Sequence, residues 1–136
     1  MKKLYTAALI YMIAGLSAGF AVRIYVDQIM KYEGETHLRL LHFHILVLGM
    51  IMMLVLMALE KTLQISKARR FNLFFWHYNG GLAMMIVMMT VIGVMQVQGR
   101  EPSEMINGIS GLSHIIITVG LGFLFNVLHE RIHASS

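Results

Sequence analysis

Polar residues divide this chain into four long apolar blocks, and the spacing of those blocks sets the expected architecture. The first occupies about residues 4–22 and stops at Arg23; the second, about 40–59, is closed by Glu60 and Lys61. The third covers about 71–97 and opens with the polar Asn72, His77 and Asn79, and the fourth covers about 109–128. A helix needs roughly 20 residues to cross a bilayer, and every block is about that length. None shows the strict alternation of a barrel strand, so each block predicts a helix. Pro102, the single proline, falls in the third connection after Gly99, where a loop is expected. No repeat or low-complexity tract interrupts the pattern. It predicts an all-α protein, one four-transmembrane-helix bundle over residues 1–136.

Composition narrows the picture further. Hydrophobic residues make up 57% of the chain and charged residues 13%, well below the ~25% charged share of soluble domains. Cysteine is absent, which excludes a disulfide framework and thiolate metal sites. Lys2-Lys3 ahead of an apolar run resembles a secretory leader. The run is too long, however, and Ala21-Val22-Arg23 is a poor cleavage site, so the segment is read as the first span. The net charge of +4 invites a nucleic-acid reading. Yet the basic residues form no stripe; they are shared among the short polar segments, as membrane topology requires. Lys2, Lys3, Lys61, Lys67, Arg69 and Arg70, with Arg131 in the tail, lie on one side. Arg23, Lys31, Arg39 and Arg100 lie on the other, diluted by acidic residues. Both termini are therefore expected in the cytoplasm, and nucleic acid is not an expected partner.

Ionisable groups at membrane depth are costly and are functional candidates. No Asp, Glu, Lys or Arg lies well inside a block, which argues against a proton-coupled transporter or an acid–base relay. The histidines are the exception. His42 and His44 fall about one turn into the outer end of the second helix, and His114 reaches a similar depth on the fourth. Residues two apart on a helix point ~200° apart, so His42 and His44 cannot readily grip one metal ion. A bare metal wants at least three converging ligands, whereas a haem iron wants one or two axial imidazoles. His42 or His44 opposite His114 is therefore a b-type haem constellation, with the unused histidine free for a second haem or a subunit interface. The plainer alternative is that these are interfacial histidines bonded to backbone or headgroups. His77 and His37 are read that way.

The stretch Leu41-His42-Phe43-His44-Ile45-Leu46-Val47-Leu48-Gly49-Met50, with Gly80-Gly81 and Gly111-Leu112-Ser113-His114, resembles an uncharacterised family of four-helix bacterial membrane proteins. That resemblance implies a multi-pass protein of the bacterial cytoplasmic membrane. A more distant resemblance is to the catalytic subunit of haem–copper oxidases. The second helix of one of its four-helix units carries a His-x-His pair ligating two haems. The resemblance implies that His42 and His44 serve two cofactors, with ligand pairs formed between second helices of different protomers and His114 as a supporting residue. The oxidase's copper ligands and proton-channel acids have no counterpart, so oxygen reduction is not implied. The expected site is His42, His44 and His114 as metal ligands, with Gly49 and Gly111 of the same stretches as cofactor-binding positions. The expected cofactor is haem b, for electron transfer or for haem or gas handling rather than for an enzymatic activity of the chain's own.

Three further patterns compete. His129-Glu130-Arg131-Ile132-His133 matches the H-E-x-x-H zinc motif, but no third ligand is available to it and it falls at a helix end where polar residues are expected. Met50, Met52, Met53 and Met57, with Met84, Met85, Met88 and Met89, could join the histidines in a Cu(I) carrier. Methionine is also a flexible filler of lipid-buried packing. Gly15 and Gly19 form a GxxxG on the first helix, suited to close packing within the chain or to a homodimer or other homo-oligomer. A cofactor-free membrane scaffold is the remaining class.

Overall fold

In the computed structural model, which describes residues 1–134, the four blocks are four helices. They are α1 (Lys2–Ile29), α2 (Leu38–Leu63), α3 (Phe71–Val97) and α4 (Glu104–Ala134), each long and apolar enough to cross a membrane. No strand occurs among the described residues. The helices overrun the apolar blocks at most ends, because a helix stops where its backbone is capped or broken, not where hydrophobicity ends. α1 runs through Arg23 to Ile29 since nothing before Lys31, which has φ 48, interrupts it. α2 ends at Gln64, whose left-handed φ of 51 turns the chain, and α3 ends two residues before Gly99 at φ 72. α4 starts earlier than expected because Ser103, just after Pro102, accepts the Ile106 N–H on its hydroxyl at 3.3 Å.

The helices pack as two hairpins, α1 on α2 and α3 on α4, joined chiefly by α2 against α3. α4 meets α2 through the Met52–Leu63 half. α3 is the central helix, with 39% of its most apolar window buried against 11% for α1. Its Phe71, Phe74 and Tyr78 stack in sequence, with centroids 6.1 and 5.8 Å apart. This end of the core also buries Leu4, Met53 and Leu56. A second, smaller cluster of Val26, Leu38, Leu41, Ile45 and Val97 closes the end that carries the first and third connections. Thr36 fastens this end: its hydroxyl donates to the Gly93 carbonyl at 3.0 Å and accepts the Leu38 N–H at 3.3 Å.

Lipid is as apolar as leucine, so close packing and hydrogen bonds, rather than hydrophobic transfer, hold such helices together. Small residues let the backbones approach. A Cβ at Gly120 of α4 would lie 2.9 Å from the Tyr78 backbone nitrogen of α3. The hydrogen bonds centre on an irregularity. α1 and α2 each contain a π-helical stretch, Ile24–Ile29 and Ile45–Ile51. In α2 the Met52 N–H reaches the oxygens of Gly49 and Val47 and bypasses that of Leu48. The Tyr78 hydroxyl donates to the Leu48 carbonyl at 2.9 Å. Beside it the Tyr11 hydroxyl donates to Asn79 Oδ1 at 2.7 Å, and Asn79 Nδ2 donates to Phe75 O.

Two outcomes follow. Tyr78→Phe should destabilise the bundle by roughly 1–3 kcal/mol, because it leaves the Leu48 carbonyl unpaired, and Gly120→Leu by about 1–3 kcal/mol through overpacking. Denaturant titration of the detergent-solubilised protein reads both, with Tyr5→Phe on the exposed side of α1 as the neutral control. Because the chain has no cysteine, single-cysteine labelling reads the spans. Lys3→Cys and Lys67→Cys should react with an impermeant maleimide from one side of a vesicle, and Glu33→Cys and Glu101→Cys from the other. Labelling of all four from one side would contradict four crossings.

Candidate functional site

His42 and His44 lie at the end of the regular part of α2, directly before its π-helical stretch. Two residues apart, they face different surroundings, as the helical angle requires. His42 is half-buried and faces α1: a Cβ at Gly19 would lie 3.5 Å from His42 Cβ. His44, also half-buried, turns its Nδ1 back to the Leu40 carbonyl at 2.9 Å. A carbonyl can only accept, so Nδ1 carries the proton and Nε2 of the neutral ring keeps a free lone pair.

The side chain of His42 lines a groove of about 470 Å³ between α1 and α2. The groove has two characters. Its deeper wall is apolar and partly small, with Gly15, Leu16, Gly19, Val26 and Leu46. Its rim carries Arg23, Asp27 and Arg39. Arg39 pairs with Asp27 at 3.0 Å and donates to the Tyr32 carbonyl at 2.9 Å, clasping α2 to the end of α1. The side chains of Arg23 and His42 have no hydrogen-bond or ion-pair partner among the described residues. The π-helical stretches of both helices reach this groove, through Val26 and Asp27 on one side and Leu46 on the other. Such stretches recur at functional sites.

The remaining expected residues stand elsewhere. His114 is exposed on α4, its Nδ1 bonded to the Ser110 carbonyl at 3.0 Å, and Gly111 is exposed beside it with open space around its α-carbon. α4 packs along α3 and reaches α2 through the far half of that helix, so a single chain does not turn His114 toward the His42 groove. Gly49 is buried under the Tyr11 ring, where a Cβ would come within 2.4 Å of Tyr11 Cγ. Its role in the fold is to admit that ring. Gly15 of the GxxxG packs inside the chain against Leu46 of α2, and Gly19 lines the groove, so the motif serves the α1–α2 contact.

His77 bonds its Nδ1 to Leu73 O at 2.8 Å and meets the Phe123 ring edge-on at 5.2 Å, a packing role. In the tail, the rings of His129 and His133 lie 4.1 Å apart on one face. Glu130 turns away from them and accepts the Arg69 N–H at 3.2 Å, while Arg131 donates to the Leu63 carbonyl at 2.9 Å. The glutamate therefore fastens α4 to the second connection and is not aimed at the histidine pair. Met53, Met85 and Met88 are buried in the packing between helices, as filler.

Sequence reasoning missed the α1 wall. Gly15, Gly19 and Arg23 recur every four residues and so share one helix face. That signal was legible, but the glycines alone suggested packing and the arginine alone suggested topology. No curated protein and no solved structure matches the chain. The oxidase likeness is therefore not shown. Residues 1–131 match one family over nearly the whole length, and the chain belongs to that family, described as a protein of unknown function (DUF2871).

Proposed function

We propose that this protein is a membrane-embedded b-type haem protein, with His42 as the axial ligand presented to the groove between α1 and α2. The observation that carries the reading is an unpartnered, half-buried imidazole facing a groove of about 470 Å³. That volume falls within the ~300–1,000 Å³ of small-molecule sites. The donor set suits haem better than a bare ion. One imidazole suffices for a haem iron, and no group of three His, Asp or Glu side chains gathers for a metal among the described residues. The apolar wall suits a flat apolar ring, and the arginines of the rim suit its carboxylates. Bound there, haem would supply one-electron or gas-binding chemistry, with electron transfer or haem or gas handling as the function.

His44 and His114 enter the proposal through a second copy. Each ties its Nδ1 to a carbonyl of its own helix, the arrangement that orients metal-ligating histidines. Each also leaves Nε2 free on a surface of the bundle. A homo-oligomer would bring such groups opposite one another and shield the cofactor from lipid. Positive-inside asymmetry supports a reading in which the termini lie in the cytoplasm of a bacterial cell and the His42 groove faces the outer side of the cytoplasmic membrane.

The optical spectrum of protein purified in mild detergent from haem-replete cells tests the reading. A Soret band with sharp α and β bands on reduction is expected. His42→Ala should abolish it, whereas one of His44→Ala and His114→Ala, the residue a second copy would supply to the same iron, should shift it without abolishing it. A colourless preparation, or a spectrum indifferent to His42→Ala, would overturn the proposal.

A further inference from the structure

The rim of the groove separates two arginines by what they already hold. Arg39 is engaged: Asp27 accepts one of its bonds at 3.0 Å and the Tyr32 carbonyl another at 2.9 Å. These contacts join the start of α2 to the end of α1 and neutralise the one carboxylate at the rim. The Arg23 side chain has neither a carboxylate nor a carbonyl partner among the described residues. It stands four residues beyond Gly19 on the face of α1 that lines the groove, so it projects at the mouth above the apolar wall. With His42 neutral, Arg23 and Arg39 against Asp27 leave the groove one net positive charge, and Arg23 is the cation free to bind.

A cavity with an apolar floor and one free guanidinium at its membrane-interface end is complementary to one kind of molecule. We propose that this groove binds an amphiphile by its anionic head group, and that Arg23 is the residue that takes the anion. Arg39 and Asp27 act as the clasp that holds the two walls together, and the apolar part of the ligand lies along Gly15, Gly19 and Leu46. The guanidinium presents a planar fork of donors that matches a carboxylate or a phosphate. Under the function proposed above, the head is a carboxylate of haem. An acidic phospholipid offers the same chemistry as a phosphate, and the inference stands with either source.

Native mass spectrometry of the full chain in non-ionic detergent separates the sources. One arm compares phosphatidylglycerol with phosphatidylcholine of the same acyl chains; the other compares haem with its dimethyl ester. Wild type should retain the anionic member of at least one pair about tenfold more tightly, the size of one charge-assisted hydrogen bond. Arg23→Gln should abolish that preference, Arg23→Lys should keep part of it, and Lys67→Gln in the second connection should leave it unchanged. Arg23 is exposed, so both variants should fold, and circular dichroism checks that they do. Selectivity in the lipid arm with no haem bound would uphold the Arg23 site and remove the haem reading. Selectivity in the haem arm would uphold both. Equal retention of charged and uncharged members, or a preference indifferent to Arg23→Gln, would overturn the inference.

Discussion

A carbonyl oxygen inside a bilayer has no water to turn to, and leaving it unpaired costs several kcal/mol. The π-helical stretch of α2 creates such a carbonyl at Leu48, and the Tyr78 hydroxyl of α3 meets it. The wide turn would strand an acceptor without the hydroxyl, so this one bond ties α3 to α2 at the point where α2 is irregular. Tyr78 also presents its backbone to Gly120 of α4, and its neighbour Asn79 receives Tyr11 from α1. One turn of α3 thus touches all three other helices. An extra residue in a helical turn rotates what precedes it by ~100°. The wide turn therefore sets the direction of His42 and His44 relative to the half of α2 that packs on α4.

Much of the fold is legible in the sequence because the bilayer imposes so few solutions. Four apolar blocks of spanning length, without alternation, leave little besides four helices. The third block matches its helix end to end, since Arg70 precedes it and Gly99 stops it nearby. Other helix ends depart from the limits of the apolar blocks for one reason. Hydropathy marks where a chain leaves the hydrocarbon, whereas Ser103, Gln64 and Lys31 mark where the backbone leaves the helix. The π-helical stretch of α2 leaves no trace in the apolar pattern, because Ile45-Leu46-Val47-Leu48 is hydrophobic at every phase.

The site was legible in part, and the wide turn explains the rest. The divergence of His42 and His44 needs nothing but helical geometry, and they diverge. The pairing with His114 depended on which faces of α2 and α4 meet, which residue depth cannot supply. Matching depths do not make matching faces when α3 stands between the helices. The α1 wall stayed hidden for a different reason. Gly15, Gly19 and Arg23 each had an adequate local explanation, and only their common face, seen against His42, makes them one feature.

The placement of polar groups gives the groove its chemical sense. In hydrocarbon, a histidine can satisfy one ring nitrogen from its own helix, and His44, His77 and His114 each do so with a carbonyl four residues back. His42 makes no such bond. Its preceding-turn carbonyl belongs to Leu38, whose side chain is packed on α3 at Gly93. His42 instead spends its orientation on the groove, leaving both ring nitrogens for whatever lies there. Arg23 shows the same departure, standing free where Arg39 is doubly held. A membrane protein keeps the half-buried, unpartnered His42 imidazole at a cost in desolvation, with an unpartnered guanidinium at the mouth of the same groove. A ligand that brings an acceptor for each removes that cost, and this is the physical ground for reading the groove as a binding site.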